Sequence, residues 1–446
     1  MNGLLICLCF GLLIATLGSS KADGDTIEWL SSESESLERR ILLSDQASQS
    51  IELSYFQIRD DNTTGQVLAA LVRAASRGIS VRVLVDGHPR SNSLPKALMD
   101  YMIEQGIAIR ERPVDVRYQI ELGRPRMHEK LFIVDGHYLL MGGRNLEEDF
   151  FGIGQRLYMD HDVVAVGAVA ATARAYFESR WSECNVGQPR LIGNEAKKSE
   201  AKHVHPQWQC MPRDQAKAEI AEWLHECESA PLAACDLRSR LEHEPQEVGC
   251  IRFLHDCVGC SKSDPGAISS QIAELISQAR CSIDIATPYF AVSHKMRSLI
   301  TQAADRGVSI RLLTNSLEST DQIIVHAAFA NERRWLLRNK VRIFEYRGEC
   351  TLHSKLIRID DRITIIGSHN LDFLSERKNL EVAIVIDDLD FAQSSKSVYD
   401  REVRASTEVE RGSLLRYEAR ESNAAPEEFR KFRRLRVAAP LVQRYL

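Results

Sequence analysis

The chain has 446 residues, of which 44% are hydrophobic and 7% aromatic, and it can therefore bury more than one core. Its formal net charge of −5 at pH 7 excludes a global attraction for nucleic acid or anionic lipid. Any such attraction has to be local.

At the N-terminus a nearly unbroken apolar run, Leu4 to Leu17, is followed by Gly18, Ser19, Ser20, Lys21 and Ala22. The run is too short to span a bilayer unaided. With small Ser20 and Ala22 at a cleavage-like spacing, residues 1–22 read as a secretory signal peptide. An uncleaved interfacial anchor is the competing reading, because Met1, Asn2 and Gly3 supply no positive charge. Export predicts a periplasmic or secreted protein, or one peripheral on the outer face of the cell membrane.

The next segment, residues 23–185, reads as an α/β unit. IELSYF (Ile51 to Phe56) is a strand ending on an aromatic pair, and AASRGISVRVLVDG (Ala74 to Gly87) is a helix end, a glycine at the C-cap and a buried strand. MHEKLFIVDGHYLLMGGRN (Met127 to Asn145) reads as a hairpin, with apolar runs Leu131 to Val134 and Tyr138 to Met141 around the turn signal Asp135-Gly136. Residues i and i+2 share a strand face, so His128 and Lys130 project together. Gly142 and Gly143 allow close backbone approach. MDHDVVAVGA then places Asp162 on a further strand.

Residues 186–267 have mixed charge and weak periodicity. Cys210, Cys227, Cys235, Cys250, Cys257 and Cys260 lie there, with Cys184 at its edge. In an oxidising compartment such a region is expected to be stapled by disulfides. The rival reading is zinc, since Cys257 and Cys260 have ligand spacing and His203, His205, His225, His243 and His255 are near in sequence.

Residues 268–400 repeat the first unit. IDIATPYF (Ile283 to Phe290) matches IELSYF, and AADRGVSIRLLTNS (Ala303 to Ser316) matches Ala74 to Gly87. In LHSKLIRIDDRITIIGSHN (Leu352 to Asn370), His353, Lys355, Asp360, Gly367 and Asn370 reproduce without a gap the spacing of His128, Lys130, Asp135, Gly142 and Asn145. NLEVAIVID places Glu381 as the counterpart of Asp162. The expected architecture is α/β and two-lobed, each lobe a sheet flanked by helices, with one active site at the lobe interface.

Residues 401–446 form a basic tail, in which Arg430, Lys431, Arg433, Arg434 and Arg436 alternate with Phe429, Phe432, Leu435 and Val437. An amphipathic helix of this kind can lie on an anionic membrane. Because Pro440 interrupts the apolar end, docking on the second lobe is the expected state.

Two histidines, each flanked by a lysine and an asparagine, suit an anionic centre. Ammonium and amide groups donate to phosphate oxygens, one imidazole attacks phosphorus and the other protonates the leaving oxygen. Asp162 and Glu381 are candidates to orient the imidazoles by accepting from the second ring nitrogen, and strand-end solvation is the alternative role for both.

The paired HxKxxxxD stretches, with GGRN and GSHN behind them, resemble those of the phospholipase D superfamily. Phe150-Phe151-Gly152, DHDVVAVG, TPYF and LLTNSLESTD extend the resemblance to bacterial cardiolipin synthases without paired N-terminal transmembrane helices. The resemblance implies a two-lobed phosphatidyltransferase needing no metal and no other cofactor, acting through a phosphohistidine. It implies His128 as nucleophile and His353 as general acid and base, with Lys130, Asp135, Lys355 and Asp360 completing the catalytic sets. Gly143, Asn145, Ser368, Asn370, Asp162 and Glu381 would surround the substrate, a phospholipid met at a membrane surface. A secreted phospholipase D hydrolase or phosphodiesterase of the same superfamily is the alternative, and the acidic balance disfavours a nuclease.

Overall fold

The computed structural model describes residues 25–30, 32–87, 94–112, 126–184, 205–230, 246–256, 266–410 and 426–442. The expected signal segment lies outside them. Among the described residues no helix is long and apolar enough to cross a membrane.

The chain forms two eight-stranded sheets flanked by helices. In the first, the strand Ser50–Tyr55 runs parallel to Ser80–Asp86, which runs parallel to Ala108–Arg112. On its other side Ser50–Tyr55 pairs antiparallel with Lys130–Val134, and the hairpin continues through Tyr138–Gly142 and Asp162–Val166 to Thr26–Leu30. The second sheet repeats this path: Ser282–Ala286, Ser309–Asn315 and Arg342–Tyr346 are the parallel strands. Leu356–Ile359, Ile363–Gly367 and Val382–Asp387 follow antiparallel.

The hairpin strands are near-continuous apolar runs because both sheet faces are covered. Leu131, Ile133, Leu139, Met141 and Val163 of the first sheet join Leu356, Ile366, Val382, Ile384 and Ile386 of the second in one buried cluster. The opposite faces lie under helices such as Glu33–Gln46 and Asn62–Ser76 in the first lobe, and Ala267–Gln278 and His294–Asp305 in the second. The sheets therefore meet face to face, with the two hairpins near the seam.

The described parts of the segment assigned to an insert, 205–230, 246–256 and 266–267, are shared between the lobes. Cys250–His255 zips antiparallel onto Val382–Asp387, as Thr26–Leu30 does onto Asp162–Val166. It is thus the first strand of the second lobe, and Ile251, Phe253 and Leu254 occupy the places of Ile27, Trp29 and Leu30. Gln246–Glu247 pairs with Thr26–Ile27 in the first sheet. The helix Arg213–Ser229 packs on the first lobe through Ile220, Trp223, Leu224 and Cys227. Among the described residues Cys184, Cys210, Cys227 and Cys250 are unpaired, so the expected stapling is not seen there. Cys235, Cys257 and Cys260 lie outside the described residues.

The described residues beyond 400 also belong to the second lobe. Ser406–Glu408 adds an edge strand to Arg342–Tyr346. The helix Pro426–Val442 docks on Ile323–Arg338, burying Phe432.

Candidate active site

Each of the two motif histidines stands one residue past a short cross-lobe bridge. Met127 pairs with Leu380, and the His128 amide donates to the Leu380 carbonyl at 3.0 Å. In the pseudo-symmetric contact, Thr351–Leu352 pairs with Tyr158–Met159 and the His353 amide donates to the Met159 carbonyl at 2.7 Å. The residue following each accepting carbonyl is the carboxylate that holds the imidazole. Glu381 lies 3.1 and 3.0 Å from His128 Nδ1, and Asp160 Oδ2 lies 2.5 Å from His353 Nδ1. Every histidine is therefore oriented by the opposite lobe. With Nδ1 engaged, Nε2 of His128 is left for chemistry, while Nε2 of His353 lies 3.1 Å from Lys355 Nζ.

The loops entering the site are pinned in a matching way. Asp86 accepts from the Met127 amide at 2.8 Å. Asn315, its counterpart in the repeat, accepts from the Leu352 amide at 2.9 Å and donates to the Leu352 carbonyl at 2.8 Å. Aromatic rings fix the imidazoles laterally: Phe56 meets His128 edge-on at 4.9 Å, and Phe150 and Tyr158 meet His353 at 5.0 and 5.3 Å.

Both lysines turn in beside the histidines. Lys130 Nζ donates to the His128 carbonyl at 2.6 Å. Lys355 Nζ donates to the His353 carbonyl and lies 3.4 Å from Asp160 Oδ2. Burial, with Lys355 adding repulsion, pushes Lys130 down to about 7 against the pull of Glu381 and Asp160. Burial likewise lowers Lys355. The His128 imidazole falls to about 4, first by burial and further by Lys130 and Lys355, with Glu381 opposing. His353 falls to about 4 through burial and Lys355, opposed by Asp160. Burial alone would raise Glu381, but His128 holds it down at about 2. Asp160 is held well below the usual carboxylate range by Lys355 and His353, again against burial. At neutral pH the site thus presents two neutral imidazoles between ionised carboxylates, with Lys130 close to its own midpoint beside Lys355. An anion placed between the lysines would relieve their repulsion and raise the basicity of the adjacent imidazoles.

Asn145 and Asn370 are buried near the ends of the hairpins. Their amides are hydrogen-bonded to Glu147 and Asp372, and each leaves its Oδ1 buried without a partner. Ser368 donates to Glu381, as do Ser375 at 2.7 Å and Asn379 at 3.2 Å. Gly143 holds the equivalent place in the first lobe, where a Cβ would lie 2.3 and 2.4 Å from the Asp160 carboxylate oxygens. Gly143→Ala is therefore expected to displace Asp160 from His353 and lower kcat roughly a hundredfold, with KM changed far less. Steady-state kinetics beside a thermal melt checks this: a normal kcat would mean that Asp160 is not needed where it stands.

Three expected site residues lie elsewhere. Asp162 pairs with Arg40 at 2.9 Å and accepts from Ser36 at 2.5 Å, so the carboxylate on the imidazole is Asp160, two positions earlier. Asp135 sits in the hairpin turn at φ +54°, accepting from the amides of Ser48, Gln49 and Ser50. Asp360, at φ +54°, does the same for Arg280, Cys281 and Ser282. Each lies five positions along the strand from its lysine, roughly 16 Å. These two aspartates clamp the hairpin to the neighbouring strand, away from the histidines. Asp160 was hidden from spacing because it follows Gly143 by 17 positions, whereas Glu381 follows Ser368 by 13. The Asp86 and Asn315 pair, by contrast, lay aligned within the two matched helix–strand segments.

Residues 42–181 and 272–402 match the family described as "Cardiolipin synthase, PLD-like domain". Cardiolipin synthase C of Escherichia coli (strain K12) is 28% identical over 386 residues, covering 79% of this chain and 80% of that protein. An uncharacterized protein of Helicobacter pylori is 27% identical over 391 residues, covering 80% of this chain and 75% of that one. The crystal structure of phosphatidylserine synthase from Haemophilus influenzae superposes with a TM-score of 0.67 at 16% identity, covering 94% and 95% of the two chains. At that identity the likeness establishes the two-lobed fold.

Proposed function

Because the chain belongs to the cardiolipin synthase PLD-like domain family, an enzyme family of the phospholipase D superfamily, we propose that it is a phosphatidyltransferase of cardiolipin synthase type. His128 Nε2 attacks the phosphorus of a phospholipid, forming an N–P bond as the P–O bond to the head-group alcohol breaks. His353, which takes up a proton at Nε2 when the anionic phosphodiester binds beside it, gives that proton to the departing oxygen. In the second half His353 takes the proton of an acceptor hydroxyl, whose oxygen attacks the phosphohistidine and releases His128. One phosphodiester is exchanged for another, so no nucleotide is consumed. Lys130 and Lys355 neutralise the phosphate oxygens throughout.

The observation that carries this reading is the pair of buried lysines beside two imidazoles whose Nδ1 atoms are already engaged. The apolar run Leu4 to Leu17 supports action on the outer face of the membrane.

The test is to incubate the purified chain with phosphatidylglycerol and phosphatidylethanolamine and identify products by mass. Cardiolipin is the expected product. Phosphatidic acid alone would make the protein a hydrolase, and cleaved DNA with unchanged lipid would make it a nuclease.

A further inference from the structure

The helix Pro426–Val442 lies along Ile323–Arg338 with Phe432 buried and Phe429 and Leu435 partly buried. Further along, Ala439 closes over Ala291, Val325 and Ala328 beside Tyr289. The ring of Tyr289 meets His353 edge-on at 6.4 Å. The apolar face of this amphipathic helix is thus spent inside the molecule, and its last turns reach within two side-chain layers of the catalytic centre.

The outward face is different. Lys431, Arg433 and Arg434 are exposed there, with Val437 83% exposed between them. At 100° per residue these four fall on one side, opposite Phe432 and Ala439. Glu427 is exposed on the same side at the start of the helix. None of Lys431, Arg433 and Arg434 has an ion-pair partner among the described residues. In a chain of net charge −5, three uncompensated cations on one helical face are a local exception.

We infer that this face is the surface by which the protein docks on an anionic bilayer, so that the site beside Tyr289 and His353 meets its substrate at the membrane. The inference rests on the reading of phospholipid as substrate. Charge complementarity selects the occupant: clustered Lys and Arg near an anionic leaflet each strengthen binding, and an exposed valine among them can settle at the headgroup level. The helix remains folded on the lobe, because its apolar residues are already covered. Attachment is therefore peripheral, electrostatic and salt-sensitive.

Sedimentation with vesicles tests it. The full chain is expected to bind vesicles of phosphatidylcholine with 30 mol% phosphatidylglycerol at low salt, to release in high salt and to ignore pure phosphatidylcholine. The triple variant Lys431→Gln, Arg433→Gln, Arg434→Gln should bind roughly a hundredfold more weakly with an unchanged thermal melt. Arg433→Lys with Arg434→Lys should retain binding, since charge and not guanidinium geometry is what counts. Equal binding to neutral vesicles, or an unaffected triple variant, would overturn the inference. So would a tighter hold on an oligonucleotide than on the vesicles that the triple variant loses, because that outcome assigns the face to nucleic acid. Binding is read without turnover, so intact salt-sensitive binding with no lipid product would fail the functional reading alone.

Discussion

Replacing His128 with alanine is expected to abolish the covalent phosphoryl adduct and lower turnover by roughly 10⁴-fold or more. Its Nδ1 is tied to Glu381, its Nε2 carries the free lone pair, and burial beside two lysines keeps the ring neutral. His353→Ala behaves differently. The nucleophile survives, so an aryl phosphodiester whose leaving group needs no proton should still form the adduct and recover much of the lost rate. With that substrate the first step needs a neutral His128, near 4, and a charged Lys130, near 7. Its rate should fall below about pH 4 as the imidazole takes up a proton, and fall again above about pH 7 as the ammonium loses one. Acid-quench trapping and peptide mass mapping decide the assignment. An adduct on His353 would exchange the two roles, and activity with an adduct on neither would end the covalent mechanism.

The second large effect lies in the cross-lobe carboxylates. Asp160→Asn and Glu381→Gln should each lower kcat by about 10³- to 10⁴-fold, because an amide can present its N–H to Nδ1 and favour the wrong tautomer. Asp160→Asn also strips the ionic partner from Lys355. Asp162→Asn is the informative contrast. It removes the charge that faces the fully buried Arg40, so it should destabilise the fold by roughly 3 kcal/mol or more while leaving the imidazoles in place. Parallel measurement of kcat and thermal midpoint separates the two classes. A large kcat loss in Asp162→Asn at full stability would restore Asp162 to the site.

What the sequence determined by itself was local. Alternation along a strand put His128 with Lys130 and His353 with Lys355, and the left-handed turns at Asp135 and Asp360 closed hairpins that the apolar runs had marked. Exact repetition of those spacings established the duplication, since matched intervals do not depend on what the chain does elsewhere. The partners of those hairpins were decided only by tertiary structure. Asp160 and Asp162 are both strand-end aspartates two positions apart, and the longer loop between Gly143 and Asp160 removes any common interval with Glu381. The sheet register resolves them: Gly142 pairs with Asp162 while Gly367 pairs with Ala383, which makes Asp160 the counterpart of Glu381. The turn aspartates, equally prominent in the motif, were drawn away from the site because the strand carries them to its far end. The strand Cys250–His255 was unreadable as part of the second lobe for the same reason. Its defining contact, with Val382–Asp387, lies more than a hundred residues along the chain, where no periodicity can reach.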